Sequence, residues 1–258
     1  MAVLESRRNR SAEHEFQLTM PADGRVRFPK HMRTARKAAK NRPTCIECNM
    51  TLAFHFLDAG GQLTPWLPRA RELLSSVESD VARLLHAGQI DVVTYASDEV
   101  IPELGVNGFA EGRHLLHLKL NPKNANFVKH FETATPALFA HEVHHCMREG
   151  SVGYGATLRS ALISEGLACH FEAEVTGRTP FYATALSPAQ VDAMLQRMLP
   201  QLDAAWYNHA AWFFGSPREE IPRNCGYSVG FSLVGNYLTR NGLKASGSVE
   251  VPAAAFFD

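Results

Sequence analysis

Apolar residues recur at two different periods along this chain. Between Pro65 and His86, Leu67, Ala70, Leu73, Leu74, Val77, Val81, Leu84 and Leu85 follow one another at helical offsets, so they share one face of an amphipathic helix. From Arg113 to Leu120 the period drops to two: Leu116, Leu118 and Leu120 fall on one side, and Leu115, His117 and Lys119 on the other. That is the pattern of a half-buried strand. Gln89 to Tyr95 is more continuously apolar and predicts a central strand that buries Ile90, Val92 and Val93. Met50 to Leu57 is a short apolar run, and its periodicity fits a strand or a buried helical segment.

The second half is predominantly helical in pattern. Thr157 opens a run with Leu158, Ala161, Leu162 and Glu165 at offsets of three and four, which places a carboxylate on the buried face. Ser187-Pro188 starts another helix through Leu199, and Gly226 to Leu238 predicts a last one, where Gly230 and Gly235 permit close approach to a neighbour. Most of the aromatic residues between Ala204 and Thr239 are expected to pack in the core or between helices.

Chemistry concentrates in His141-Glu142-Val143-His144-His145. On a helix, positions i and i+4 lie about 40° apart around the axis, so His141 and His145 can hold one metal ion. Glu142 sits about 100° further round, close enough to act on a water without ligating the metal. Thr133 or Thr135 is expected to cap this helix, with Pro136 in its first turn, where a missing N–H is harmless. His144 is expected to support the site from outside the ligand set or to face solvent. Catalytic zinc takes three protein ligands, and Glu165, 20 residues beyond His145, is the candidate for the third. A buried carboxylate needs a cation or a strong hydrogen-bond partner, which a metal supplies. Between the two helices, Gly150, Gly153 and Gly155 can adopt the positive φ angles that turn the chain back.

Composition narrows the class. With 258 residues, 45% of them hydrophobic, the chain can bury a full core. The net charge is zero, yet residues 1–42 hold 11 Lys and Arg against 4 acidic residues. We read 1–42 as a basic N-terminal extension and 43–258 as the catalytic domain. No apolar run reaches 18 residues, and no leader pattern opens the chain, so a cytoplasmic protein without membrane contact is expected. Five cysteines without regular spacing suit reduced thiols, and Cys45-x-x-Cys48 lacks the second pair of a structural zinc site.

Three blocks resemble the YjaZ-like zinc-dependent protease family within the gluzincins: Ile101 to Ala110, His141 to Phe171, and Gly226 to Phe231. The resemblance implies an α+β, zincin-like fold, with a small, mostly antiparallel sheet packed on a helical domain. It also implies that the strand before the metal helix is the sheet edge and binds an extended peptide by strand addition. Such proteins often carry Asp four residues after the ligand Glu, orienting a ligand histidine; this chain has Cys169 there.

The expected chemistry is that of a zinc metallopeptidase acting on a peptide or protein. Zinc on His141, His145 and Glu165 activates water, Glu142 is the general base, and Tyr227 is the first candidate for stabilising the oxyanion. Arg223, His209 and Tyr207 are further candidates for that last role. Two other classes remain open: an inactive scaffold of the same fold, and a nucleic-acid-associated protein using the basic extension. The sequence holds no groove-reading motif for the latter.

Overall fold

The computed structural model describes residues 51–85 and 88–257. The basic extension at 1–42 and the Cys45/Cys48 pair lie outside the described residues.

Four strands form one sheet: β1 (Thr51–Leu57), β2 (Gln89–Ala96), β3 (Val106–Gly112) and β4 (Leu115–Leu120). Helix α1 (Leu67–Leu84) crosses from β1 to β2, and among the described residues five further α-helices follow the sheet: α2 (Phe127–Glu149), α3 (Leu158–Thr176), α4 (Pro188–Met198), α5 (His209–Phe214) and α6 (Cys225–Asn241). The α+β class expected from the sequence is the one found. The described part of the apolar run at 50–57, Thr51–Leu57, resolves as strand.

The sheet is mixed rather than mostly antiparallel. Its order is β1-β2-β4-β3; β1 and β4 run parallel to β2, and only β3 opposes β4. The expected edge is therefore displaced by one strand, because β4 is an inner strand and β3 is the outer one. The reason is side-chain chemistry. Leu116, Leu118 and Leu120 are completely buried in the inner strand β4, whereas β3, with Asn107, Gly108, Glu111 and Gly112, suits an edge. In β2, Ile90, Val92 and Thr94 take the buried face, and Val93, half-buried, lies on the other.

Helix α2 starts nine residues before Pro136, which lies inside it, so neither Thr133 nor Thr135 is its cap. A proline inside a helix costs about 3 kcal/mol. Phe127 and Phe131 are buried, each contributing about 1.5–3 kcal/mol, with Ala134 and Leu138 continuing the stripe. The stripe outweighs the proline. Helix α3 begins where the pattern placed it: Thr157 caps it by accepting from the Ser160 N–H. Ser187 and Gln190 form a reciprocal capping box at the start of α4.

Helix α2 lies on β3 and β4, α3 packs on α2, and α6 packs on α3. The α3–α6 crossing is made by Gly166 and Gly230. A Cβ on Gly166 would collide with the Gly230 carbonyl, and one on Gly230 with the Leu162 carbonyl.

Candidate metal centre

Two buried helices supply the three expected ligands. His141 and His145 project from one face of α2, and Glu165 meets them from α3. The Nε2 atoms of His141 and His145 are 3.1 Å apart, and Glu165 Oε2 lies 3.2 Å from the first and 3.4 Å from the second. Donors at the 2.0–2.1 Å bond lengths of tetrahedral zinc stand about 3.3 Å from one another. The triangle fits. Among the described residues this is the cluster of three or more His, Cys, Asp or Glu able to hold a metal ion.

Surrounding groups aim two of the three candidate ligands, Glu165 and His141. Tyr154 donates to Glu165 Oε1 at 2.8 Å, which leaves Oε2 for the two imidazoles. Tyr154 reaches in from the interhelical turn, where Gly153 and Gly155 have φ of +78° and +86°. Its ring centroid is 5.5 Å from that of His145. Burial works against the charge on Glu165, but His145 and His141 outweigh it and hold the carboxyl well below its ordinary range. On His141, burial opposes protonation, and bonds to Cys169, Glu165 and Glu172 overcome it, raising the pKa well above the ordinary value. The field that favours a proton there also favours a metal cation.

The carboxylate expected at position 169 stands at 172 instead. Glu172 Oε2 is 3.3 Å from His141 Nδ1, and the Tyr182 hydroxyl donates to that oxygen at 2.5 Å. Seven residues separate Glu165 from Glu172, two helical turns, so both face α2. Cys169 is fully buried beside His141, its thiol pushed up to about 12 by burial. His144 neither faces solvent nor supports the ligands. It is completely buried, its Nε2 3.4 Å from the Ala245 carbonyl and its ring packed on Phe171, and burial holds its pKa well below the ordinary value.

Glu142 meets the edge strand. Its Oε2 accepts the Ala110 N–H at 2.8 Å, and a Cβ on Gly108 would stand 2.7 Å from its Oε1. Only glycine lets β3 approach so closely. Beside this contact the β3–β4 register shifts between Ala110 and Gly112. Burial raises the Glu142 pKa, while His145 and His141 pull it down.

Of the oxyanion candidates, Tyr227 lies near the site: burial raises its pKa well above the ordinary value, and the Glu165 and Glu142 carboxylates add to the rise. Its ring packs 5.0 Å from Tyr182 and 5.1 Å from Phe213. The Tyr207 hydroxyl shares a 3.0 Å hydrogen bond with His209 Nδ1. Arg223 makes a two-pronged ion pair with Glu103. Tyr154, Glu172 and Tyr182 escaped the reading of the sequence; the spacing of Glu172 from Glu165 was a signal for one of them.

An α+β domain whose paired helices bring two histidines and a glutamate to zinc spacing, with a further glutamate against the sheet edge, has the makings of a metalloenzyme. Residues 67–258 match the family described as "Predicted Zn-dependent protease (DUF2268)", and the chain belongs to that family. It is 32% identical over 130 residues to the uncharacterized protein YjaZ of Bacillus subtilis (strain 168), covering 47% of this chain and 49% of that one. The chain thus spans about half the length of the curated relative it matches. No solved structure matches it. Among the described residues, no helix is long and apolar enough to cross a membrane.

Proposed function

We propose that this protein is a zinc-dependent metallopeptidase that hydrolyses peptide or protein substrates, with His141, His145 and Glu165 as ligands and Glu142 as general base. The observation that carries the reading is the 3.1–3.4 Å triangle of ligand atoms, with Glu142 beside it on the same helix. A zinc ion held there supplies Lewis acidity, polarising a carbonyl and lowering the pKa of water towards about 7. Glu142 takes a proton from the attacking water and passes it to the leaving nitrogen. Burial, by raising its pKa, favours the protonated state that the second transfer requires. The Ala110 N–H restrains the carboxylate between the two transfers. Tyr227 donates a hydrogen bond to the oxyanion. Strand β3, the sheet edge beside Glu142, offers backbone groups to an extended peptide.

The scaffold alternative drew weight from the missing acid at position 169. Glu172 supplies a carboxylate to the same imidazole, which removes that support. Elemental analysis of wild type and Glu165→Ala provides the first test. About one zinc per wild-type chain, lost or weakened in the variant, is expected, and a wild type that stays empty when zinc is supplied would overturn the reading. Glu142→Gln should keep the metal and lose about 10²- to 10⁴-fold in hydrolysis; retained hydrolysis would remove its role as base.

A further inference from the structure

Arg148 is a charged side chain that the proposed chemistry does not use, in a place where charge is costly. It lies on α2, three residues after His145 and seven after His141, so it shares their face about one turn further on. It is 2% exposed. Burial pulls its pKa down only to about 10, and it therefore stays charged at neutral pH. A buried cation normally has an anion beside it. Among the described residues no carboxylate pairs with Arg148; its partners are neutral oxygens. Nε donates to the Ser164 hydroxyl at 2.9 Å, and Nη1 to the carbonyls of Val249 and Val251 at 2.9 and 3.1 Å.

These bonds join three parts of the fold. Ser164 directly precedes Glu165 on α3, so Arg148 ties α2 to α3 one residue from a candidate ligand, through bonds that need no metal. Ser164 Oγ donates in turn to the Tyr154 carbonyl at 3.2 Å, and the Tyr154 hydroxyl donates to Glu165 Oε1 at 2.8 Å. One chain of hydrogen bonds thus runs from segment 249–251 through Arg148, Ser164 and Tyr154 to Glu165. Both helices also grip the stretch just before that segment. His144 Nε2 on α2 is 3.4 Å from the Ala245 carbonyl, and Glu174 on α3 accepts the Ser246 N–H and hydroxyl at 3.2 and 2.8 Å. Val249 and Phe256 enter the core beside both helices.

A metal held by side chains of two helices binds tightly when those helices already stand at the right separation; otherwise part of the binding free energy goes into bringing them together. The planar guanidinium fixes the direction of each bond it makes. An apolar side chain of similar volume would fill the same space without the cost of burying an ion, yet it would set neither the helix separation nor the place of Tyr154. We propose that Arg148 is a positioning residue of the metal centre, which presets the distance between α2 and α3 and holds Tyr154 on Glu165, with segment 249–251 as its support. The inference rests on the ligand set proposed above and is independent of hydrolysis.

Zinc affinity of the full chain, measured by competition against a chelator, and the urea midpoint of the zinc-free chain together test it. Arg148→Met and Ser164→Ala should each weaken zinc binding by about 10- to 100-fold, the range of groups that steady a ligand from outside. The double variant should bind no more weakly than Arg148→Met, because both changes cut one chain of bonds. Val249→Ala truncates a buried side chain and keeps the carbonyl, so it should lower the midpoint and leave zinc affinity alone. If Arg148→Met does not fold, Ser164→Ala decides. Zinc affinity that tracks the midpoint across all the variants, Val249→Ala included, would make Arg148 a packing group and overturn the proposal. Wild-type affinity in Arg148→Met and Ser164→Ala would overturn it too, with the metal centre left standing. A wild type that takes up no zinc would instead sink the ligand set, and the positioning role with it.

Discussion

The carboxylate that steadies a ligand imidazole need not occupy one fixed place on the helix; it must lie on the right face and reach the ring. Glu172 meets both conditions from two turns beyond Glu165, and the Tyr182 hydroxyl fixes the oxygen that His141 Nδ1 faces. Such outer partners typically change metal affinity or activity about 10- to 100-fold. Glu172→Ala should therefore weaken zinc binding by about that factor in a competition titration against a chelator, whereas Cys169→Ser should shift it less. The reverse order would return the supporting role to position 169. Tyr227→Phe tests the oxyanion donor: kcat should fall by about 10²- to 10³-fold with KM little changed. Unchanged kinetics would make the phenol a packing group between Tyr182 and Phe213.

The spacing of His141, His145 and Glu165 depends on how α2 and α3 cross, and α6 packs on α3. Gly166 and Gly230 put α3 and α6 backbone to backbone, so α3 cannot shift without α6 following. Gly230→Ala forces a methyl group into the Leu162 carbonyl, a displacement that typically costs about 1–3 kcal/mol. We expect a lower urea midpoint and, because Glu165 precedes Gly166 directly, weaker zinc binding as well. Gly242→Ala, at a position with φ of +61° and nothing near it, makes a useful control. It should lose stability through backbone strain and leave zinc affinity alone.

Across the whole molecule, the segment leading into β3 and the segment leading into α6 are joined by the Glu103–Arg223 ion pair. The bond to Arg223 holds the Glu103 carboxyl below its ordinary range, so the pair stabilises the fold above about pH 4.3, the unfolded value. That contribution fades as pH falls through the lowered folded value. Both side chains are nearly half exposed, so the pair is worth at most about 1 kcal/mol. Wild type and Arg223→Ala should accordingly differ in denaturant midpoint at pH 6 and converge near pH 3. A difference that persists at pH 3 would assign the effect to Arg223 packing instead of charge.

Local periodicity by itself determined much of this protein. The helical offsets of α1, the alternation of Leu116, Leu118 and Leu120, the caps at Thr157 and Ser187, and the shared face of His141 and His145 are properties of residues a few positions apart. Glu165 was legible for the same reason, as a carboxylate on a buried helical face. What depends on distant segments meeting was decided only by the tertiary structure. The β1-β2-β4-β3 order places β3, with its glycines and polar residues, at the edge, and the start of α2 ignores Pro136 because Phe127 and Phe131 have a core to enter. Glu172 reaches His141, Tyr154 reaches Glu165, and Gly108 admits Glu142 because packing brings together groups between 11 and 34 residues apart in sequence. The helical period says which face a residue occupies; only the packed neighbour says what that face meets.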